Sequence, residues 1–420
     1  MIVVIADDIS GATELAGVAR CFGLSAEVQT LFDPLSTADV VAIDTNTRSL
    51  SPDAAARIVR SVAERVREIA PQWVYKKTDS VLRGNVFAET DEIRRVFAKA
   101  KCLFIPANPD RGRIIREGRY FIDEVPLDET AFRRDPEHPA RTAQVLELLQ
   151  VGSECQSLAS QWTIPDVVSR EELAKHANSM DEHTLPAGAA EFFSVLLECK
   201  GHAAGRDSAC RVSVTSGKSL FICGSATAWA TGRKEQCESH GIPIFEMPDE
   251  LFSDTDSGVG CVHGAVTPYP AAATRESRAP ERDSSESQQR SDLPGDLTAK
   301  QRAAVTRWSE TVALALQKKS AVMLAIGGGT HCASSSGLLK RLVATVRQVL
   351  VDHQPERVYL EGGATAAAVL QELGWQRLRV REPVNFGIAS LEVIGCEAPT
   401  IFIKPGSYSW PNEVWRETNE

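Results

Sequence analysis

"MIVVIADDISGATELAG", residues 1–17, runs from an unbroken apolar segment, Ile2–Ala6, into two adjacent carboxylates, Asp7 and Asp8, and then into Ser10, Gly11 and a stretch of helical period. A continuous apolar run of strand length is the pattern of a strand covered on both faces. With a helix behind it, the acid pair sits at the first strand-to-helix turn of a mainly parallel α/β sheet. Asp8 or Ser10 suits the helix N-cap, where negative charge also meets the positive end of the dipole. Capping explains one acid. The second, side by side with the first, calls for cations, a metal ion or a substrate hydroxyl opposite the pair.

The alternation continues through the first 125 residues, with strand-length apolar runs at 40–43, 73–75 and 102–106 beside helix-period stretches. Residues 51–70 are the clearest helix. Ser51 caps it, Pro52 takes the first helical position, and Ala56, Val59, Val62, Ala63, Val66 and Ile69 make one apolar stripe. Residues 107–140 are rich in Pro, Gly, Arg and acids and read as a loop-heavy excursion, a kind of segment that is more often functional than idle. "IPDVVSREELAKHA", 164–177, predicts a strand and then a helix with Ser169 and Glu172 as a capping box. A second alternating block starts near Lys218. It is interrupted at 252–300 by a stretch rich in Ser, Asp, Glu, Arg and Pro, read as a solvated, partly disordered insertion. Helices are expected at 298–318, 335–350 and 365–373, with strands at 321–326 and 358–361 and short ones before "IFIKPG", 401–406. The expected architecture is α/β with two domains, 1–216 and 217–420. Each is a mainly parallel sheet flanked by helices, and the active site lies in the cleft between them.

Forty-six Lys and Arg against 56 Asp and Glu give a net charge of -10. That balance lacks the basic face of a nucleic-acid or membrane-surface binder, but it allows an anionic substrate held by a few local cations. No apolar run approaches the roughly 20 residues that cross a bilayer, and the N-terminus has no secretory pattern. The ten cysteines are scattered, with no C-x-x-C and no zinc-ligand spacing. They read as reduced thiols of a cytoplasmic protein.

Ligands of open α/β sheets bind at the carboxyl ends of the strands, and chemistry-bearing residues gather there. The turns are Asp7-Asp8, "DTNTR" (44–48), "KKTDSVLRGN" (76–85) and "PANPDRGR" (106–113). Lys76, Lys77 and Arg83 supply cations beside Asp79 and Ser80, and an Arg among hydroxyls and backbone N–H groups can grip a carboxylate in bidentate fashion. Read alone, the same stretch is also a solvated loop, and Arg48 a surface residue. In the second half, "CGS" (223–225), "GGGTH" (327–331), "EGGAT" (361–365) and "KPGSY" (404–408) are glycine turns. Their backbone N–H groups can approach phosphate oxygens, although a tight strand-to-helix turn needs glycine in any case. Neither a Walker A loop nor G-x-G-x-x-G is present. Acids beside Lys and Arg in one half, and phosphate-friendly turns in the other, suit phosphoryl transfer.

Taken in order, "ADDISGATELAG", "DTNTR", "KKTDSVLRGN", "IPANPDRGRIIREGRYF", "VPLDETAFRRDPEHP", "CGSATAWATGRKEQ", "EGGATAAAVLQELG" and "FIKPGSY" resemble the four-carbon acid sugar kinase family across nearly the whole chain. The resemblance implies phosphorylation of threonate, erythronate or 3-oxo-tetronate by ATP with Mg²⁺, a sugar-acid-binding N-terminal domain and a nucleotide-binding C-terminal domain. It implies substrate contacts from Asp7, Asp8, Arg48, Lys77, Asp79, Ser80, Val81, Leu82 and Arg83, with Asp8 as general base or hydroxyl orienter. ATP contacts would come from Ser225, Gly362, Gly363, Ala364, Thr365 and Gly406. A homodimer is the expected assembly. The chain departs from the family pattern at Ser10 (usually Thr), Val81 (commonly Thr or Ser) and Ala364 (generally an acid), the last of which leaves a noncatalytic or altered-specificity paralogue as an alternative.

Two other readings compete. A receiver module would also place an acid pair after strand one, with Asp44 as phospho-acceptor, but "KKTDSVLRGN" has no role there. A haloacid-dehalogenase-like phosphatase needs D-x-D, whereas Asp7 and Asp8 are adjacent and Ser10 stands two residues beyond Asp8.

Overall fold

The computed structural model describes residues 1–135, 138–149, 161–205, 217–230, 232–252, 297–328, 334–385, 388–406 and 408–416. Most of the expected 252–300 insertion, and 329–331 of "GGGTH", lie outside them. A 14-stranded sheet runs through the molecule. Seven of its strands form one parallel block in the order Ala26–Gln29, Val40–Asp44, Ile2–Ala6, Trp73–Lys77, Thr184–Gly188, Lys101–Ile105 and Trp162–Thr163. Five form another, in the order Ile244–Glu246, Ala321–Ala325, Ser219–Cys223, Arg357–Glu361 and Thr400–Lys404. The antiparallel pair Arg377–Asn385 and Ile388–Val393 joins the blocks, through Ala26–Gln29 on one side and Thr400–Lys404 on the other. The sheet is thus continuous across the expected boundary at 216/217. No helix among the described residues is long and apolar enough to cross a membrane.

Strand Ile2–Ala6 is buried at every position, as its unbroken apolar run requires. Its alternation sorts neighbours to two faces. Val3 and Ile5 share a cluster with Val59, Val62 and Ile93, while Ile2, Val4 and Ala6 join Ile9, Leu15 and Ala16. The helix Pro52–Glu68 has Ser51 as its N-cap, with Oγ accepting from Ala54 N–H at 3.4 Å, and buries Ala55, Val59, Val62, Ala63 and Val66. The helix Ile9–Cys21 is buried on all sides from Ile9 to Ala19 because it lies between the first parallel block and the antiparallel pair. Its small residues allow this: a methyl at Gly17 would touch Ala389 Cβ at 3.6 Å. Leu15, wholly buried, makes this helix sensitive to truncation, at roughly 2–5 kcal/mol for Leu15→Ala.

Local differences have local causes. The excursion at 107–140 carries a small antiparallel sheet, Arg113–Arg116, Arg119–Ile122 and Val125–Pro126. Residues 164–168 form no strand, because Val167 makes only an isolated bridge with Ile115. Ser169 caps the helix Arg170–Asn178, but the Glu172 carboxylate accepts from Val168 N–H at 2.7 Å, one residue before the cap, so the box is not closed. A closed box forms instead at Thr298 and Gln301, ahead of the helix Ala299–Lys318.

Candidate active site

The acid pair is divided by the pleat that precedes it. Asp7 receives a bidentate grip from Arg48, Nε to Oδ2 at 2.6 Å and Nη2 to Oδ1 at 3.0 Å. Burial alone would raise the Asp7 carboxyl, but the Arg48 and Lys76 cations outweigh it and hold the carboxyl below its ordinary value. Asp8 is the N-cap of the helix Ile9–Cys21. Its Oδ1 accepts from Gly11 N–H at 2.9 Å and from Arg48 Nη2 at 2.8 Å, and its Oδ2 accepts from the Ser10 hydroxyl. Arg48 arrives on the "DTNTR" turn, whose Thr47 and Arg48 N–H groups donate to the Asp7 carbonyl at 3.0 and 3.3 Å.

Lys76 and Lys77 end strand Trp73–Lys77 and point to opposite faces. Lys76 is buried in a pair with Glu89, at 2.6 Å, in the helix Val86–Val96. Lys77 turns toward the acid pair. Its ammonium lies 3.1 Å from Glu14 and donates to the Thr78 carbonyl at 3.0 Å. Burial would lower the Lys77 ammonium, but Glu14, Asp8, Asp7 and Asp79 outweigh it, so its value stands above the ordinary one. In the following turn Asp79 accepts from Arg83 Nε at 3.0 Å and Nη2 at 2.8 Å, and also from the Val81 and Arg83 N–H groups at 3.1 and 3.2 Å. Burial opposes ionisation of Asp79, yet Arg83 and Arg48 hold its carboxyl well below the usual range. Leu82 takes a left-handed φ of 64°, which closes this turn.

Three neighbouring parallel strands of the second block end in register at Cys223, Glu361 and Lys404. Behind each lies a glycine turn, and the turns pack on one another. A methyl at Gly406 would come 2.5 Å from Ser225 Oγ, and one at Gly224 would strike Thr365 Oγ1. Gly362 adopts φ 97° and caps the helix Gly363–Glu372. Its first turn holds Gly363, exposed Ala364 and buried Thr365, and presents N–H groups with no acidic side chain among them. Beneath the turns Glu361 Oε1 accepts from Arg233 Nη2 and Lys404 Nζ, both at 2.6 Å, and all three side chains are buried. Two cations share one carboxylate, so the ground under these turns is net positive, which favours an anion above it. Burial moves the Lys404 ammonium below its ordinary value against the pull of Glu361.

The two rims meet. A β-carbon at Gly363 would lie 2.6 Å from Asp8 Oδ2 and 3.4 Å from Ser10 Oγ. The structure therefore sets the Asp8 carboxylate against the first turn of the glycine-capped helix. A solvent-open depression of about 400 Å³ is lined by Asp8, Arg48, Lys77, Asp79, Ser80, Val81 and Arg83 of the first half, and by Pro405 and Tyr408 of the second. Of the residues expected there from the sequence, Leu82 is buried outside the lining and Asp7 lies behind Arg48. Asp44, the receiver's phospho-acceptor candidate, is buried. Desolvation, with help from Asp8 and Asp7, pushes its carboxyl up to about 8, which leaves it mostly neutral at pH 7 and ill suited to act as a nucleophile. Among the described residues no group of three or more His, Cys, Asp or Glu side chains is placed to hold a metal ion.

Residues 2–194 match the model of a sugar-binding N-terminal domain. The chain is 34% identical over 166 residues to the D-threonate kinase of Bordetella bronchiseptica. It is 23% identical over 428 residues to the 3-oxo-tetronate kinase of Burkholderia multivorans, a match that takes in 96% of this chain and 93% of that one. Over its N-terminal part the chain is thus similar to curated kinases of four-carbon sugar acids. The stretch matched to the Bordetella kinase spans 38% of this chain and 40% of that kinase's length. A solved Salmonella typhimurium structure, described as a putative tRNA synthase, shares the fold. Its TM-score is 0.70 at 16% identity, over 99% of this chain and 98% of that one.

Several residues in and around the site escape sequence reasoning. Glu14 reads as a solvent position of an amphipathic helix, yet it is buried and paired with Lys77. Arg111 and Arg113 come from the excursion, whose loop composition shows no direction for its side chains. Arg111 donates to Tyr408 Oη at 2.6 Å and lies 5.0 Å from that ring's centre, linking the two halves. The buried Arg233 of "TGRKEQ" carries no local signal, because its partner Glu361 lies 128 residues away and is itself set beside Lys404 by strand register.

Proposed function

We propose that this chain is an ATP-dependent kinase that phosphorylates a hydroxyl of a four-carbon sugar acid, a tetronate or 3-oxo-tetronate, in carbohydrate-acid catabolism. The observation that carries the reading is the approach of Asp8 Oδ2 to Gly363, which puts a hydroxyl-accepting carboxylate beside a helix start suited to phosphate. The names of the related kinases support the substrate class.

On this reading residues 1–216 bind the sugar acid and residues 217–420 bind the nucleotide, with the shared depression as the active-site cleft. Arg48, Lys77, Asp79, Ser80, Val81 and Arg83 shape the acid site, and Asp7 holds Arg48 in place. Asp8 orients the attacking hydroxyl and takes its proton as the oxygen forms its bond to the terminal phosphorus and the bond from that phosphorus to the bridging β-phosphate oxygen breaks, with ADP as the leaving group. Asp8 receives Arg48, Gly11 and Ser10 as donors, so it is fixed before substrate arrives. Ser225, Gly362, Gly363, Ala364, Thr365 and Gly406 cradle the phosphates, with Arg233 and Lys404 supplying positive field from below. ATP provides the transferred phosphoryl group. Mg²⁺ would accompany ATP and supply neutralising charge for the phosphates; among the described residues no carboxylate cluster is placed to hold an ion of its own. A homodimer and a cytoplasmic location complete the proposal.

The test is a coupled ATP-consumption assay against a panel of tetronates and 3-oxo-tetronates. Turnover with at least one is the expected result. Nucleotide binding without turnover of any would favour the noncatalytic paralogue and point to Ala364. Neither binding nor turnover would end the kinase reading.

A further inference from the structure

The cations that line the depression are Arg48, Lys77, Arg83 and Arg113. Three of them already face carboxylates. Arg48 holds Asp7 and Asp8, Lys77 lies against Glu14, and Arg83 grips Asp79 with Asp135 at 3.3 Å. A substrate carboxylate placed on any of these would share a neutralised cation and feel the repulsion of its acid. Arg113 differs: among the described residues its guanidinium has no carboxylate partner, and its Nη1 donates to a neutral acceptor, the Ser80 hydroxyl.

Arg113 is also firmly mounted. Its N–H donates to the Asn108 carbonyl at 3.1 Å, and its carbonyl accepts from Asn108 N–H at 2.8 Å. Buried Asn108 is fixed in turn, since its Oδ1 accepts from Glu191 N–H at 3.0 Å at the start of the helix Ala190–Cys199. The contacts that run from Gly363 through Asp8, Arg48, Asp79 and Ser80 end at Arg113. Asp8 and the Arg113 guanidinium thus line the same depression without contacting each other among the described hydrogen bonds and ion pairs, with Arg48, Asp79 and Ser80 linking them.

We propose that Arg113 is the anchor for the substrate's carboxylate, with the Ser80 hydroxyl turning to donate a second hydrogen bond. This rests on the sugar-acid kinase reading and sharpens it: the acid end of the substrate docks on Arg113, and a hydroxyl at its other end faces Asp8. An arginine mounted this way presents parallel N–H groups that match a carboxylate. An uncharged analogue forfeits that match.

The test compares Arg113→Ala and Arg113→Lys with wild type on two ligands, the best tetronate of the panel and its uncharged primary amide, with nucleotide binding followed in parallel. For the acid, kcat/KM is expected to fall about 10- to 100-fold in Arg113→Ala, with a smaller loss in Arg113→Lys. For the amide, wild type and both variants should be similar, and nucleotide affinity should be unchanged. Equal losses for acid and amide would show a purely structural role and overturn the assignment, as would an unchanged acid kcat/KM in Arg113→Ala. A wild type that turns over no sugar acid would instead overturn the kinase reading, and the anchor with it.

Discussion

The carboxylate of Asp8 and the α-carbon of Gly363 are held so close that a β-carbon on residue 363 would come 2.6 Å from Oδ2. One residue begins the first helix of the chain, and the other begins a helix more than 350 positions later. Gly363→Ala should therefore displace the carboxylate or the helix start by a few tenths of an ångström or more. A fall in kcat of about 10- to 100-fold is expected, with the fold retained by circular dichroism. Unchanged kcat would mean that the Asp8–Gly363 approach has no part in the reaction.

Arg48 is the shared partner of both acids. Arg48→Met keeps its bulk and leaves Asp7 and Asp8 buried without it, at a cost of about 3–5 kcal/mol at neutral pH. The sign of the pH dependence follows from Asp7. Its folded value is depressed, so its contribution is present above the unfolded carboxylate value and is lost as pH falls through the folded one. The gap between wild type and Arg48→Met in urea denaturation should persist from pH 7 down to about pH 4 and narrow below it, as pH falls toward the folded Asp7 value.

Asp44 should behave oppositely. Its folded value is raised to about 8, so the stability gained from its neutral form is full below about pH 4 and is lost as pH climbs through about 8. Asp44→Asn removes that loss. Relative to wild type, the variant should gain about 2 kcal/mol or more between pH 4 and pH 8 in denaturant titrations.

The buried Glu361 neutralises one of two cations beneath the glycine turns. Glu361→Gln should destabilise the free protein by about 3–5 kcal/mol. Excess positive charge would then be relieved by bound phosphates, so ATP should raise the melting temperature more in the variant than in wild type. An equal or smaller ATP shift would argue against a field role for Arg233 and Lys404.

Local patterns made much of the fold readable. The apolar run Ile2–Ala6, the stripe and Ser51–Pro52 start of Pro52–Glu68, and the glycine turns after Cys223 and Glu361 each record a local requirement. The short strands expected before "IFIKPG" include the antiparallel pair Arg377–Asn385 and Ile388–Val393, but its joining role left no local mark, because it is set by pairing with strands from distant parts of the chain. The site divides the same way. Asp8, Arg48, Lys77 and Arg83 are visible as charges at strand ends. Glu14 and Arg233 look like ordinary helix-surface charges until tertiary packing buries them against Lys77 and Glu361. Lys76 and Lys77 look equivalent as letters, and only the pleat sends one to Glu89 and the other to the depression.

Asp8→Asn is the most direct probe of the assigned chemistry, because asparagine also serves as an N-cap and can still accept from Gly11 N–H. The measurement is phosphoryl transfer from ATP to the best tetronate by wild type and variant, with ATP binding in parallel. Loss of about 10²- to 10⁴-fold in kcat with nucleotide binding retained is the expected result. Near-normal turnover in Asp8→Asn would contradict the assignment of Asp8 as the group that receives the hydroxyl proton.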